Sequence, residues 1–188
     1  MKKLSTIAAT IFSLVPVVGN FLTPLLAGKL SKKRILQIGS LGRVAGMVIV
    51  FAAGKSVPLI IVGMIVTSAF RGLMSTTYFA IQADPIDYGE YKTGISASGT
   101  ICAVNGFCGK LWMALAGSLS AAVLGAAGYV GGAAVQTASA LSAIRIMYIV
   151  IPSVFLIGVV VVMHFYDLDE KMPAIMRELE NRRNSSRG

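Results

Sequence analysis

Long apolar runs separated by short polar breaks make up this chain. Apolar residues dominate 5–27, 35–53, 58–82, 99–125 and 140–165, and each run approaches or exceeds the roughly 20 residues that cross a hydrocarbon core as a helix. No period-two alternation interrupts them, which excludes barrel strands. The pattern predicts an all-α membrane protein with five transmembrane helices. The breaks are the turn GKLSKKR at 28–34, a loop near Lys55, loops at 83–98 and 126–139, and a tail at 166–188. Within the tail, YDLDEKMPAIMRELENRR predicts a short amphipathic helix with Leu168, Met172, Ile175, Met176 and Leu179 on its apolar face. Pro173 suits its first turn, Glu178 and Arg182 form an i,i+4 pair, and NSSRG is expected to be disordered.

Polar and small residues inside the runs are placed by helical periodicity. In the first run Ser13, Pro16, Asn20 and Thr23 share one face, and Pro16 and Pro24 are expected to kink it. A bent helix beside a cavity and a simple packing irregularity both fit. The second run carries Gly39, Gly42 and Gly46, which allow a close helix neighbour, and Arg43, which either snorkels or pairs with a carboxylate of the acidic loop. In the third run Thr67, Ser68, Arg71, Ser75, Tyr78 and Gln82 form a polar stripe. A charge at that depth costs several kcal/mol on insertion scales, so Arg71 is expected to face protein or water. The fourth run holds the small-residue stripe Gly99, Ala103, Gly106, Ala114, Gly117, Ala121, Gly125 and Gly128, with Lys110 its one large member. Such a lysine needs an anion or water beside it, and a transport pathway supplies both. The fifth run begins near Arg145, is interrupted by Pro152 and ends near His164, which reads as an interface residue.

Composition narrows the function classes. Hydrophobic residues at 55%, charged residues at 13% and a mean hydropathy of +0.76 exclude a soluble domain. The net charge is +9, and most of the basic residues cluster in the breaks between the apolar runs, so it speaks for membrane topology and against nucleic acid. With the positive-inside rule, the turn at 28–34, the loop at 83–98 and the tail are cytoplasmic and hold ten basic residues against three outside. A multi-pass inner (plasma) membrane protein with a cytoplasmic C-terminus is expected. Lys2 and Lys3 fall outside in this topology, which points to the end of a longer protein. The opening residues do not read as a cleaved signal, because Pro16, Gly19 and Asn20 break the run. Cys102 and Cys108 lie within one run and support neither a disulfide nor a metal site. No phosphate loop, nucleophile triad or metal-ligand cluster is present, so no enzyme, metal or cofactor is expected. A rival with Asp84, Asp87 and Glu90 holding magnesium lacks a catalytic base.

At DPIDYGEYKTG, residues 84–94, the chain resembles the glycoside-pentoside-hexuronide:cation symporters, a branch of the major facilitator superfamily. Phe107 to Lys110, the run ALAGSLSAAVLGAAGY, Ile144, Arg145 and Pro152, and the tail extend the likeness. GKLSKKR resembles the superfamily's basic turn between helices eight and nine. The resemblance implies that the five runs are helices 8 to 12, that the N-terminal half is missing, and that the coupling site for sodium or protons lies in that half. It implies a sugar substrate moved by alternating access, with Lys110 near the substrate and coupling sites; the polar and small-residue stripes add Arg71, Tyr78, Asn105 and Gly106 as candidates for substrate or coupling contacts. Asp84, Asp87 and Glu90 are the implied cytoplasmic gate, with Arg43 and Arg34 as basic partners. A non-transporting fragment or partner subunit, and a lipid-carrying relative of the same fold, are the alternatives.

Overall fold

A computed structural model describes residues 2–54, 56–133 and 135–185. Among the described residues seven α-helices follow one another: α1 (Lys2–Ala27), α2 (Lys32–Ala52), α3 (Val57–Thr93), α4 (Ser98–Ala126), α5 (Ala138–Arg145), α6 (Ile151–His164) and α7 (Leu168–Ser185). A π-helical turn, Ile146–Val150, joins α5 to α6 just before Pro152. Five helical stretches are long and apolar enough to cross a membrane, the last running Ala138–His164, as the hydropathy pattern predicts. Large apolar side chains such as Phe21, Trp112 and Phe155 are exposed. In lipid that exposure carries no penalty, and helix association must come from close packing and polar contacts.

The chain divides into two compact units, Met1–Ser96 with Phe155–Gly188, and Ala97–Val154. In the first, α3 packs along both α1 and α2. Gly39 abuts Met74 and Phe70, Gly42 lies against the Phe70 ring, and Gly46 meets Thr67. Those glycines let α2 lie close against α3, and the register shows the two to be antiparallel. Against α1 the seam is Gly19 on Gly72: a Cβ on Gly72 would strike the Pro16 carbonyl oxygen, and one on Gly19 would lie 3.0 Å from the Gly72 Cα. Of the Ser13–Thr23 face of the first run, Pro16 and Thr23 lie toward α3, whereas Ser13 and Asn20 are exposed. Thr23 is buried and donates to the Gly19 carbonyl, while Thr76 Oγ1 donates to Asn20 Oδ1 at 3.1 Å.

Two segments depart from the sequence reading. Residues 83–93, expected as loop, continue α3, which passes through Pro85 and ends at Thr93 on Gly94 in the left-handed region (φ 72°). Its 37 residues span roughly 55 Å, so the polar end projects well past a hydrocarbon core of about 30 Å. Along the projection Asp84, Glu90 and Tyr91 find partners within the same unit. The second departure is α7, which is 18 residues long and carries Pro173 in its interior, with Met172, Ile175 and Leu179 buried. Met176 is 43% exposed and belongs to the other side of the helix. Asn184 and Ser185 extend the helix, where disorder was expected; 186–188, like Met1 and Lys55, lie outside the described residues.

In the second unit α4 buries none of its residues. Its stripe of glycines does not mark a tight seam here, since a Cβ at Gly99, Gly106, Gly117 or Gly125 would meet nothing within 4 Å. The α4–α5 connection is tied by the Gln136 amide, which accepts from Val130 N at 3.2 Å and donates to Val130 O at 2.6 Å. Thr137 then caps α5, its hydroxyl accepting from Ala140 N.

Candidate functional site

The polar end of the first unit gathers most of its charge. Asp84 is 1% exposed, with Lys32 Nζ donating to Oδ1 at 2.6 Å and the Tyr166 hydroxyl donating to Oδ2 at 3.0 Å. Ser31 starts α2 with its side chain accepting from Arg34 N, and Asp169 Oδ2 accepts from Lys33 N at 3.1 Å. An acid at a helix N-terminus is favoured by the unpaired N–H groups there. The Lys33 side chain turns the other way and donates to the His164 carbonyl at 2.7 Å, near Asp167 at 3.8 Å. The segment that follows α6 is thus fastened to the start of α2.

One turn and a half beyond Asp84, Glu90 accepts from Arg183 Nη2 at 2.8 Å, and Arg182 donates to the Tyr91 carbonyl while its guanidinium lies over the Tyr91 ring. The expected Glu178–Arg182 pair forms, at 3.2 Å. Tyr91 and Leu168 pack against Met172, Ile175 and Leu179. The hydrogen bond from Arg183 holds Glu90 below the ordinary carboxylate value, and the same bond raises the Arg183 guanidinium. Burial first, then the hydrogen bond to Asp84, pushes the Tyr166 phenol well above its ordinary range.

The gate residues expected from sequence are therefore only partly brought together. Asp84 and Glu90 are engaged, but by Lys32, Tyr166 and Arg183, not by Arg34 or Arg43. Arg34 is exposed on the far side of the first turn of α2. Arg43 follows Gly42 and so lies at the depth of Phe70, fourteen residues from Asp84, or roughly 21 Å of helix rise. Asp87 is half-buried and adds its charge to the Arg183 environment. Of the three acids in the magnesium alternative, Asp84 has both oxygens engaged by Lys32 and Tyr166, and Glu90 Oε1 accepts from Arg183. Among the described residues no group of three or more His, Cys, Asp or Glu side chains is placed to hold a metal.

The Glu90–Arg183 contact makes the docking of the tail depend on pH through Glu90. Its folded value lies below the ordinary 4.5, so the contact contributes to tail docking above that pH and is lost as pH falls through the lower folded value. A nitroxide on Asn181→Cys, with Cys102 and Cys108 replaced by serine, should become mobile only below the ordinary carboxylate range. Arg183→Gln should remove that step, and identical titrations of the two proteins would assign it to another group.

A second polar zone lies midway along α1 and α3. The stripe read from the third run splits: Thr67 and Ser68 are buried, whereas Ser75 and Tyr78 are exposed and Arg71 is half-buried. Arg71 sets its guanidinium 4.9 Å from the Phe12 ring centre. In the second unit Asn105, Gly106 and Lys110 are all exposed on α4. Lys32, Tyr166, Asp169 and Arg183 were missed in the sequence. Lys32 lies two residues before Arg34, and the phase of α2 after its Ser31 cap separates them.

The family model described as "MFS/sugar transport protein" matches residues 2–170. The chain is 32% identical over 182 residues to the isoprimeverose transporter of Lactiplantibacillus pentosus, covering 95% of this chain and 38% of that protein. It is 31% identical over 183 residues to the glucuronide carrier protein homolog of Escherichia coli K12, covering 96% and 40%. With the uncharacterized symporter YnaJ of Bacillus subtilis 168 the identity is 37% over 155 residues, covering 81% and 33%. The chain spans about two fifths of the length of the first two of these relatives. No solved structure matches it significantly.

Proposed function

The chain belongs to the MFS/sugar transport protein family, and from that premise we propose that it forms the C-terminal, five-helix part of a cation-coupled sugar carrier working by alternating access. The family is one of carriers, not enzymes. The observation that carries the reading is the polar side of α3 at membrane depth, where half-buried Arg71 and exposed Ser75 and Tyr78 recur at helical spacing. Lipid does not solvate such groups. A water-filled sugar pathway between this part and a further helical half does.

In this reading the substrate sits near the midplane, at the interface between the two parts. Lys110, with Asn105 and Gly106 beside it on α4, contributes a cation and a small-residue approach for sugar hydroxyls. The coupling ion, sodium or a proton, binds on the further half, since no carboxylate of this chain lies within a span. The polar end is cytoplasmic, in the plasma (inner) membrane. Gating there works by exchange: Asp84 and Glu90 hold partners of their own unit in one state, and Asp87 is the acid left to meet basic groups of the opposite half when the inner side closes. Such surface pairs are worth roughly 0–1 kcal/mol each, enough to bias conformations separated by a few kcal/mol.

The test is labelled-sugar uptake by the complete transporter in proteoliposomes under a sodium or proton gradient. Uptake that needs one of the gradients and falls at least tenfold in Lys110→Ala is expected. Unchanged uptake and coupling in Lys110→Ala would remove the lysine from the site, and no uptake of any sugar would remove the carrier reading.

A further inference from the structure

The fifth span, Ala138–His164, is one membrane-length helical stretch whose two parts belong to different units. From Phe155 onward it groups with α1, α2 and α3, and up to Val154 it groups with α4. The C-terminal part is fastened to its unit repeatedly. Gln37 Nε2 donates to the Val160 carbonyl at 3.3 Å, Lys33 Nζ to the His164 carbonyl, and the Tyr166 hydroxyl just beyond to Asp84. The N-terminal part hangs from the end of α4, where the Thr137 hydroxyl donates to the Ala127 carbonyl at 3.3 Å. Between these two attachments lies the π-helical turn Ile146–Val150.

The irregularity has a cause in the sequence. Pro152 has no N–H to give the carbonyl four residues back, and its ring crowds the same space. The helix widens instead, and Ile151 N donates to the Ile146 carbonyl, five residues back. Sharp bends in helices gather at prolines and π-bulges, and Ile146–Pro152 holds both. The turn lies roughly 12–18 Å from Ala138 along the axis, in the middle of a hydrocarbon core of about 30 Å. The chain passes between the units at one other place, next to residues 94–97, which are not helical and open on Gly94 in the left-handed region. So α4 is reached through a non-helical linker and left through a widened, proline-bearing turn, and it buries none of its own residues.

We infer that the fifth span is a hinged helix: α4 and α5 swing about Ile146–Pro152 and Gly94, while the remainder of the span stays with α1, α2 and α3. This movement is internal to the chain and separate from the rocking of one carrier half against the other. A bend of about 20° at the π-turn, acting over the roughly 20 Å from Val150 back to Ala138, displaces the start of α5 by about 7 Å. Lys110 and Asn105 travel with α4. Within the carrier reading above, on which this last consequence alone rests, the hinge brings those two side chains to the sugar and withdraws them.

The experiment measures distances between nitroxide pairs by pulsed EPR, using the complete transporter in lipid nanodiscs with Cys102 and Cys108 replaced by serine. One pair, on Phe51→Cys and Leu119→Cys, reports between the units, and the other, on Phe51→Cys and Phe165→Cys, reports within the first; all three positions are exposed. The first pair should show two populations about 5 Å or more apart, and the second a single narrow one. Pro152→Ala restores the missing N–H and should collapse the first pair to one population. Gly158→Ala, in the same span and with nothing within 4 Å of the added Cβ, should leave both pairs as they were. A single narrow population for the first pair in the parent, two populations that survive Pro152→Ala, or an equal collapse in Gly158→Ala overturns the hinge. Broadening of the second pair in Pro152→Ala would mean a misfolded variant, and hydrogen exchange in the parent then decides. Amides of Ile146–Ile151 should exchange at least about tenfold faster than those of 159–162, and equal rates overturn the proposal. No sugar enters these measurements, so their failure leaves the carrier reading standing, and absence of sugar uptake leaves the hinge standing.

Discussion

Lys32→Ala is expected to destabilise the first unit by about 3 kcal/mol, the low end for stripping one partner from a buried ion pair. The reason is Asp84. Its side chain is 2% exposed against 34% for Lys32, so removing the ammonium leaves an ionised carboxylate in a dry site with the Tyr166 hydroxyl as its remaining donor. Lys32 retains some contact with solvent, which keeps the loss from the top of the range. Asp84→Asn in the same background should restore much of the stability, because a neutral amide no longer needs the ammonium. Thermal unfolding in detergent measures both, with each kcal/mol worth roughly 2–4 °C at this size. If the double variant is no more stable than Lys32→Ala, charge burial is not the source of the loss.

Gly72→Val should have a comparable effect by a different route. Overpacking a seam costs typically about 1–3 kcal/mol, and here the obstruction is backbone on the opposing helix: the Pro16 carbonyl and the Gly19 Cα. No rotamer change relieves it, so α1 must move off α3, and a loss at or above the upper end of that range is expected. The displaced helix also carries Phe12 and Asn20, the partners of Arg71 and Thr76. Gly117→Val is the matched control. Nothing lies within 4 Å of that position on α4, and its stability should stay within about 0.5 kcal/mol of the parent. Equal losses at the two sites would mean that helix propensity or insertion, not the α1–α3 crossing, governs the result.

These expectations concern residues that the linear pattern ranked unevenly. The second-run glycines were legible as a close-approach surface because three of them recur on one face, and they do abut α3. Gly72 carried no such signal: a single glycine beside Arg71 becomes a crossing point only once Gly19 is opposite it. The fourth-run glycines show the converse, since a longer and more regular stripe makes no close contact in its own unit. Spacing states that a helix can be approached, not what approaches it.

The polar end divides in the same way. Its acids were legible because they interrupt an otherwise apolar chain, and DPIDYGEYKTG carried the family resemblance. Their partners were not, because four basic residues crowd the turn at 28–34 and adjacent helical positions differ by about 100° in direction. Choosing Lys32 over Arg34 requires the phase of α2, which Ser31 and Asp169 set.

The sequence by itself determined the number of spans, the all-helical class, the membrane setting and the family, since these follow from hydropathy summed over some twenty residues and from contiguous motifs. Tertiary structure decided that α3 continues past the membrane, that α7 docks on it through Met172, Ile175 and Leu179, that Asp84 and Glu90 are satisfied within their own unit, and that Phe12 is the companion of Arg71. Each of those depends on contacts between residues distant in sequence, where a one-residue change of helix phase redirects a side chain while leaving the apolar pattern almost unaltered.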